Sequence, residues 1–370
     1  MAPRLSFVGV GCSALLSLAG CGANQARITP EPPEAAASGF PGLSWESAPS
    51  LETLGWSPAR VGALMAAIDS LVGRSSAFMI VTRGKVVAAW GDTARSYRTH
   101  SVRKSFMSAL IGMAAAEGKI DTAATLGALG IEEKGVTLTV VERQARVSDL
   151  LRARSGVYLA AAGEVASMRN ARPVRGSHPP GTHWYYNNWD FNVLGTIFRR
   201  QTGEDIYQAI DRRIAMPIGM QDYRPAEGGY GLEEQSLHPS YSFRISARDL
   251  ARFGVLYLNR GRWGQNQLIP ASWIDASVRS YSPSGDQGSR ATHSGYGFMW
   301  WIQANAAAHP EFRISDGSFT ASGLGGQLMT VIPEIETVIV NLMNTDEPGP
   351  RIRAEQWDRL LGLVLAARLQ

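Results

Sequence analysis

The chain has 370 residues, of which 45% are hydrophobic and 18% charged, enough apolar material for a large core and too little charge for a disordered or supercharged protein. At roughly 100–200 residues per domain the length allows about two domains. Lys and Arg number 36 against 32 Asp and Glu, a formal net charge of +4, and no basic run or basic helix gathers that charge where a polyanion needs it, so no nucleic-acid partner is expected.

Behind Arg4, residues Leu5 to Gly20 form an apolar run shorter than the about 20 residues that span a bilayer, and it reads as the hydrophobic stretch of an export signal. The run ends in Leu18-Ala19-Gly20-Cys21, which resembles a bacterial lipobox and so implies cleavage before Cys21 and lipid modification of its thiol. An ordinary signal peptide cleaved nearby is the alternative. On the lipobox reading, residues 1–20 are a lipoprotein signal peptide. The mature chain is then exported to a bacterial cell envelope and tied to a membrane through Cys21, facing the periplasm. The other cysteine, Cys12, lies inside the signal, so the mature chain has no thiol pair and depends on its core. Alanine- and proline-rich sequence from Gly22 to about Pro49 has the composition of an extended tether; residues 21–55 are assigned to it, and the fold is expected to begin near Trp56.

Ser57-Pro58 places a capping residue before a proline at the first helical position, and Val61, Leu64, Met65, Ile68, Leu71 and Val72 recur at helical spacing. Ala77 to Thr82 and Lys85 to Trp90 are β-rich runs around Arg83-Gly84 and read as a hairpin. From Ser101 to about Glu234 the pattern is mostly helical. Ser246-Ala247-Arg248-Asp249 then reads as a helix start, with Leu250, Phe253 and Tyr257 facing inward and Gly261 as the stop. Gly295 to Ile302, Gln327 to Ile332 and Thr337 to Leu342 are three further strands, and a closing helix carries Trp357, Leu360, Leu361, Val364 and Leu365 on one side. Strands at both ends with helices between them predict an α+β fold, an α/β sandwich in which one antiparallel sheet is built from the two chain ends and flanked by helices. Residues 56–100 and 235–370 form the sheet domain in this scheme, and 101–234 the inserted helical region.

Neither metal-ligand spacing nor a phosphate loop occurs, Gly323-Leu324-Gly325-Gly326 precedes a strand instead of a helix, and no G-x-S-x-G elbow is present, so neither a metal nor a cofactor is expected. The informative segment is His100-Ser101-Val102-Arg103-Lys104-Ser105-Phe106, which opens an uncharged run from Ser105 to Ala116 that reads as a buried helix. In a helix, Ser101 and Lys104 share one face with Cβ atoms about 5–6 Å apart. A hydroxyl nucleophile needs a neighbouring base, and a lysine held neutral by burial serves. The chain has only four lysines, Lys85, Lys104, Lys119 and Lys134, and its many arginines do not deprotonate at working pH. The bland alternative is that Ser101 caps a helix and Lys104 is solvated.

Two later segments add polar groups. In Pro180-Gly181-Thr182-His183-Trp184-Tyr185-Tyr186-Asn187-Asn188 a phenol beside an amide precedes the helix Trp189 to Arg200, an arrangement that shares a proton with a lysine or forms a polar turn with core tyrosines. In Ala321-Ser322-Gly323-Leu324-Gly325-Gly326-Gln327 missing side chains let a substrate approach backbone N–H groups, or make a tight hairpin turn.

Together and in this order, the three segments resemble the serine β-lactamase and penicillin-binding protein superfamily, in its class C β-lactamase-like branch with its esterases and 6-aminohexanoate-dimer hydrolases. The likeness runs from about Trp56 to the C-terminus. Ser101-Val102-Arg103-Lys104 matches S-x-x-K, and Tyr186-Asn187-Asn188 matches Y-x-N. Supporting stretches include Asp149-Leu150-Leu151, Ser155-Gly156, Thr202-Gly203 and Pro217-Ile218-Gly219-Met220. The resemblance implies Ser101 as nucleophile, Lys104 and Tyr186 as the proton-transfer pair, and Asn188 orienting Lys104 and the acyl group. It also implies an oxyanion hole from the backbone N–H groups of Ser101 and Gln327 beside Gly326, and a pocket lined by Trp184 and Tyr185. One departure stands out: where the family's third motif starts with Lys or His, this alignment puts Leu324, followed by Gly325-Gly326. Losing a charge-assisted hydrogen bond forfeits roughly 1.5–3 kcal/mol, which argues against an efficient β-lactamase and for a small ester or amide substrate anchored elsewhere. The competing expectations are a D-amino peptidase or weak β-lactamase of the cell wall, and a non-catalytic lipid-anchored binding or sensor protein.

Overall fold

Alternate side chains on the central strands face two different apolar layers, and this fixes the architecture. The computed structural model describes residues 39–72, 76–283, 295–303, 314–349 and 351–369; the signal peptide, Cys21 and the tether up to residue 38 lie outside the described residues. Numbered in chain order, the helices are α1 (Pro58–Val72), α2 (Arg103–Ala116), α3 (Val147–Leu151), α4 (Ala166–Ala171), α5 (Asn188–Thr202), α6 (Ile206–Ile210), α7 (Ala247–Leu258), α8 (Ala271–Ser277) and α9 (Ala354–Ala366). The eight-stranded sheet runs β2 (Lys85–Gly91), β1 (Ala77–Thr82), β14 (Thr337–Leu342), β13 (Gln327–Ile332), β12 (Ser318–Gly323), β11 (Trp301–Gln303), β10 (Gly295–Tyr296) and β9 (Ser282–Pro283). All its pairings are antiparallel. Three small ladders lie outside it: β3 (Tyr97–Arg98) with β6 (Arg244–Ile245), β4 (Gly229–Gly231) with β5 (Ser240–Ser242), and β7 (Arg262–Trp263) with β8 (Asn266–Gln267). The sheet is thus antiparallel and drawn from both chain ends, as the sequence pattern predicts.

On β1, Phe78 and Ile80 enter one apolar cluster while Ala77, Met79 and Val81 enter the other; Leu328 and Ile332 against Met329 and Val331 repeat the alternation on β13. The first cluster is closed by Val61, Leu64 and Ile68 of α1 and Trp357, Leu360, Leu361 and Val364 of α9. The second is covered by α2 and α7, and it continues without a break into the helical region through Trp189, Phe191 and Phe198. At Gly254 of α7 an added Cβ would stand 2.4 Å from Val338 Cγ1, so the missing side chain sets how closely this helix approaches the sheet. Ser246 caps α7 by accepting the Asp249 N–H, as its position suggests. Among the described residues no helix is long and apolar enough to cross a membrane.

Two expectations are corrected. Residues 39–55 are not tether but lie on the fold: the buried Arg252 guanidinium donates to Gly42 O and Leu43 O at 2.7 and 2.8 Å, and the Trp45 indole N–H donates to Arg248 O at 3.0 Å. Ala48 N–H donates to Val86 O at 3.0 Å and Val86 N–H to Glu46 O at 2.8 Å, so this segment covers the open edge of β2. Composition hides such a role, because the partners are backbone carbonyls and a distant arginine. The single strand expected over Gly295 to Ile302 is instead two short strands around a turn. Gly297 N–H donates to Trp300 O, Phe298 N–H to Ser277 O and Met299 N–H to Leu151 O, so these groups turn away from any ladder, with Met299 at φ 60°. A short apolar run does not by itself distinguish these two forms.

Candidate active site

The chain reaches Ser101 through a left-handed residue. His100 has φ 45° and opens a 3₁₀ turn, His100–Val102, that runs directly into α2. A non-glycine residue there carries backbone strain of roughly 1–3 kcal/mol, sustained only where surrounding contacts over-determine it. Here the ring Nε2 lies 2.8 Å from Thr345 Oγ1. Burial first, and then the Arg103, Arg98 and Arg351 charges, push the His100 pKa down to about 4, so its imidazole is neutral at neutral pH.

Lys104 lies one turn on, in a helix that is buried along nearly its whole length, and is 2% exposed. Its Nζ is 2.8 Å from Ser101 Oγ and 2.7 Å from the Tyr186 hydroxyl, with the Tyr186 and Phe191 ring centroids at 4.4 and 4.7 Å. Both hydrogen-bond partners are hydroxyls. Burial in this aromatic surround, reinforced by the neighbouring Arg103 charge, holds the amine well below the usual lysine range. The arrangement therefore brings together an alcohol, an amine that favours its uncharged form, and a phenol.

Tyr186 comes from the turn before α5. Asn187 caps that helix by accepting the Trp189 N–H at 3.1 Å, and the Tyr186 ring stacks on Trp301, with centroids 5.4 Å apart and planes 25° apart. Of the two adjacent tyrosines only Tyr186 meets Lys104. The buried Tyr185 sends its hydroxyl to Met168 O at 2.7 Å, and burial raises its pKa to about 12. Trp184 packs on Tyr296 and Trp301, the two rings that also pack on Tyr186. Asn188 makes no hydrogen bond to Lys104: its amide N–H donates to Gly163 O at 2.8 Å and its Oδ1 has no hydrogen-bond partner among the described residues.

The third segment lies three residues away from its sequence alignment. Leu324, Gly325 and Gly326 form the turn between β12 and β13, and Leu324 is 50% exposed. The backbone that passes Ser101 is Gly323, where an added Cβ would stand 3.1 Å from Ser101 N and 2.6 Å from Thr99 O. Gln327 pairs with Gly323 across the hairpin, one strand farther off. Its side chain is occupied by Met343, accepting from the N–H at 3.0 Å and donating to the carbonyl at 2.8 Å. Gly326 packs against Ile352, and its carbonyl accepts from Asn341. Counting back from Gly323 puts the buried, uncharged Ala321 where the alignment put Leu324.

Sequence reasoning passed over Phe191, Trp301 and Asp190. Phe191 reads as an ordinary core position of α5 and Trp301 as one more apolar residue of a strand. Asp190 reads as a generic first-turn acid, yet it is fully buried and bonded to Ser155 and Asn187.

One comparison with known proteins shows the family, and others show the fold. The model of the family described as Beta-lactamase matches residues 64–363. Similar solved structures include a 6-aminohexanoate-dimer hydrolase homologue from Bacillus anthracis, with TM-score 0.61 and 22% identity over 88% of this chain and 89% of that one. A penicillin-binding protein homologue from Caulobacter crescentus has TM-score 0.61 and 15% identity over 85% and 99%. A class C β-lactamase has TM-score 0.60 and 15% identity over 87% and 98%. At such identities these structures establish the fold. A curated relative, an uncharacterized protein of Alkalihalophilus pseudofirmus, is 19% identical over 182 residues, 45% of this chain, and the chain spans about half (53%) of its length.

Proposed function

The chain belongs to the β-lactamase family, and from that premise we propose that it is a serine hydrolase that cleaves a small ester or amide through a covalent acyl-enzyme on Ser101. The observation that carries this reading is the contact of a buried lysine with two hydroxyls, Ser101 at 2.8 Å and Tyr186 at 2.7 Å. As Ser101 Oγ attacks the acyl carbon, its proton passes to the neutral Lys104 amine; the protonated amine, through the Tyr186 hydroxyl, returns a proton to the departing alcohol or amine. Water then attacks the acyl-enzyme, giving its proton back through the same pair and releasing the acid. The negative charge on the carbonyl oxygen is met by the Ser101 N–H at the start of the helical run. A second backbone N–H comes from the turn just after β12, at Leu324, in place of Gln327, because Gly323 is the part of the hairpin that touches Ser101.

The reading favours substrates that need no cation on β12. Both Leu324 and Ala321 are uncharged, and the partly buried Trp301 stacked on Tyr186 offers an apolar wall instead. Intact-mass measurement after exposure to a short acyl ester, nitrocefin and a D-Ala-D-Ala peptide tests the proposal: a Ser101-linked acyl group from the ester that turns over, absent in Ser101→Ala, is expected. Preferred reaction with the peptide or nitrocefin points to the peptidase or β-lactamase alternatives, and an adduct that never turns over points to a binding or sensor protein. Undiminished labelling of Ser101→Ala removes Ser101 from the mechanism. Export and lipid anchoring through Cys21 are part of the same proposal, supported by the Leu18-Ala19-Gly20-Cys21 sequence; loss of membrane fractionation in Cys21→Ala is the check.

A further inference from the structure

Asp190 is a fully buried acid that the reaction above leaves unused. Ser155 donates its hydroxyl to Asp190 Oδ1 at 2.5 Å and its N–H to Oδ2 at 3.4 Å, and the Asn187 amide donates to Oδ1 at 3.0 Å. No cation is among these partners. The three donors favour the ionised form, but burial outweighs them, and the nearby Asp149 charge adds to it, so the carboxyl titrates well above the usual aspartate range.

These bonds belong to a longer seam. Asn187 also donates to Val157 O at 2.8 Å, Val157 N–H to Ser155 Oγ at 3.0 Å, and Tyr185 N–H to Ala153 O at 3.0 Å. Asn188 and Asn192 reach Gly163 O and Ala162 O at 2.8 and 3.0 Å. The segment 153–163 and the start of α5 are therefore joined by side chains where no strand ladder joins them, and Tyr186 is held between two of the anchored residues, Tyr185 and Asn187. Asp190 is the point at which the Ser155 and Asn187 arms of the seam meet.

We propose that Asp190, together with Ser155, is a positioning residue that fixes the Tyr186 hydroxyl at its 2.7 Å contact with Lys104 by locking the turn 185–188 onto segment 153–163. The inference deepens the serine hydrolase reading and rests on it for its kinetic consequence. Its logic is geometric: a displacement of about 1 Å at a proton-transfer contact is enough to lose about 10²-fold in rate, while substrate binding elsewhere in the cleft is little changed. Asparagine has the same shape, and its oxygen takes over the two short bonds at Oδ1, so charge is not required.

The test pairs kinetics with a direct view of the phenol. In protein labelled with 3-fluorotyrosine, the Tyr186 ¹⁹F resonance is assigned by its absence in Tyr186→Phe. Asp190→Ala is expected to shift or broaden that resonance and to lower kcat about 10- to 100-fold with KM within about threefold. Asp190→Asn is expected to keep both close to wild type. Ser155→Ala, which removes one arm and leaves the carboxyl in place, is expected to move both readouts in the same direction by less, and it keeps the test open should Asp190→Ala fail to fold. An unmoved resonance with unchanged kcat in Asp190→Ala or Ser155→Ala overturns the proposal, as does Asp190→Asn behaving as badly as Asp190→Ala. A wild-type protein that forms no acyl adduct sinks the hydrolase reading instead, and the resonance still reports whether Asp190 places Tyr186.

Discussion

The two faces of the sheet are built from the same alternating strands but bury different chemistry. On the α1–α9 face the strands meet Trp357, Leu360 and Leu361, and Thr82 Oγ1 is shared between Thr337 Oγ1 at 2.8 Å and the Trp56 indole N–H at 3.1 Å. The face carrying α2, α5 and α7 holds ionisable groups, and nearly all are answered. Asp249 accepts the N–H groups of Gln221, Asp222 and Tyr223 at 2.7, 2.7 and 2.9 Å, and Arg252 donates to three carbonyls. Lys104 meets hydroxyls instead. Burial of a charged residue type is ordinary here, and Lys104 is set apart by its partners: Asp249 and Arg252 are answered by backbone dipoles and Asp190 by a hydroxyl and amides, whereas the amine meets only two hydroxyls.

That contrast can be broken by mutation. Leu360→Ala on the apolar face is expected to lower unfolding stability by about 2–5 kcal/mol, read by urea denaturation, with kcat unchanged below the transition; a selective loss of kcat would show that the two faces are not separable. Lys104→Arg is expected to fold and to lose at least about 10²-fold in kcat, since guanidinium does not deprotonate; near-wild-type turnover removes the lysine from proton transfer. Lys104→Met sharpens the comparison in the other direction. Because the amine titrates lower in the folded chain than in the unfolded one, the unfolded state binds more protons between the two values, and wild-type stability falls as pH drops below the unfolded lysine range. The methionine variant is expected to be inactive yet more stable, on the order of 1 kcal/mol, with an advantage that grows on acidification; a pH-independent difference between the two proteins contradicts the burial argument. Lys85→Ala, removing an exposed ion pair with Glu46 at the sheet edge, is expected to change stability by less than about 0.5 kcal/mol and activity not at all.

Local chemistry explains what was legible beforehand. β1, β13 and β14 run over the residues expected, because they are short, nearly continuous apolar, β-rich runs buried on both faces and Gly84 and Pro333 mark the turns. The pairing of Ser101 with Lys104 is visible because helical spacing alone joins them. The choice of Tyr186 over Tyr185 depended on motif register and is matched by the contact with Lys104. The register of the third segment was not legible. Glycines occupy 323, 325 and 326, and only the approach of β12 to Ser101 singles out the first of them. Nor was the seam around Asp190 readable, since Asn187 lies only three residues before it but Ser155 is brought to it by tertiary structure across 35 residues. Residues 39–55 looked extended because their partners, Arg252 and Val86, lie far along the chain or offer only backbone.

The strand order has a temporal consequence. β1, the first strand made on the ribosome, sits between β2 and β14, so one of its edges stays unpaired until the chain has been synthesised to about residue 342. Contacts of such sequence separation are slow to form. The sheet that α2 and α7 cover is therefore completed only when the final strands arrive.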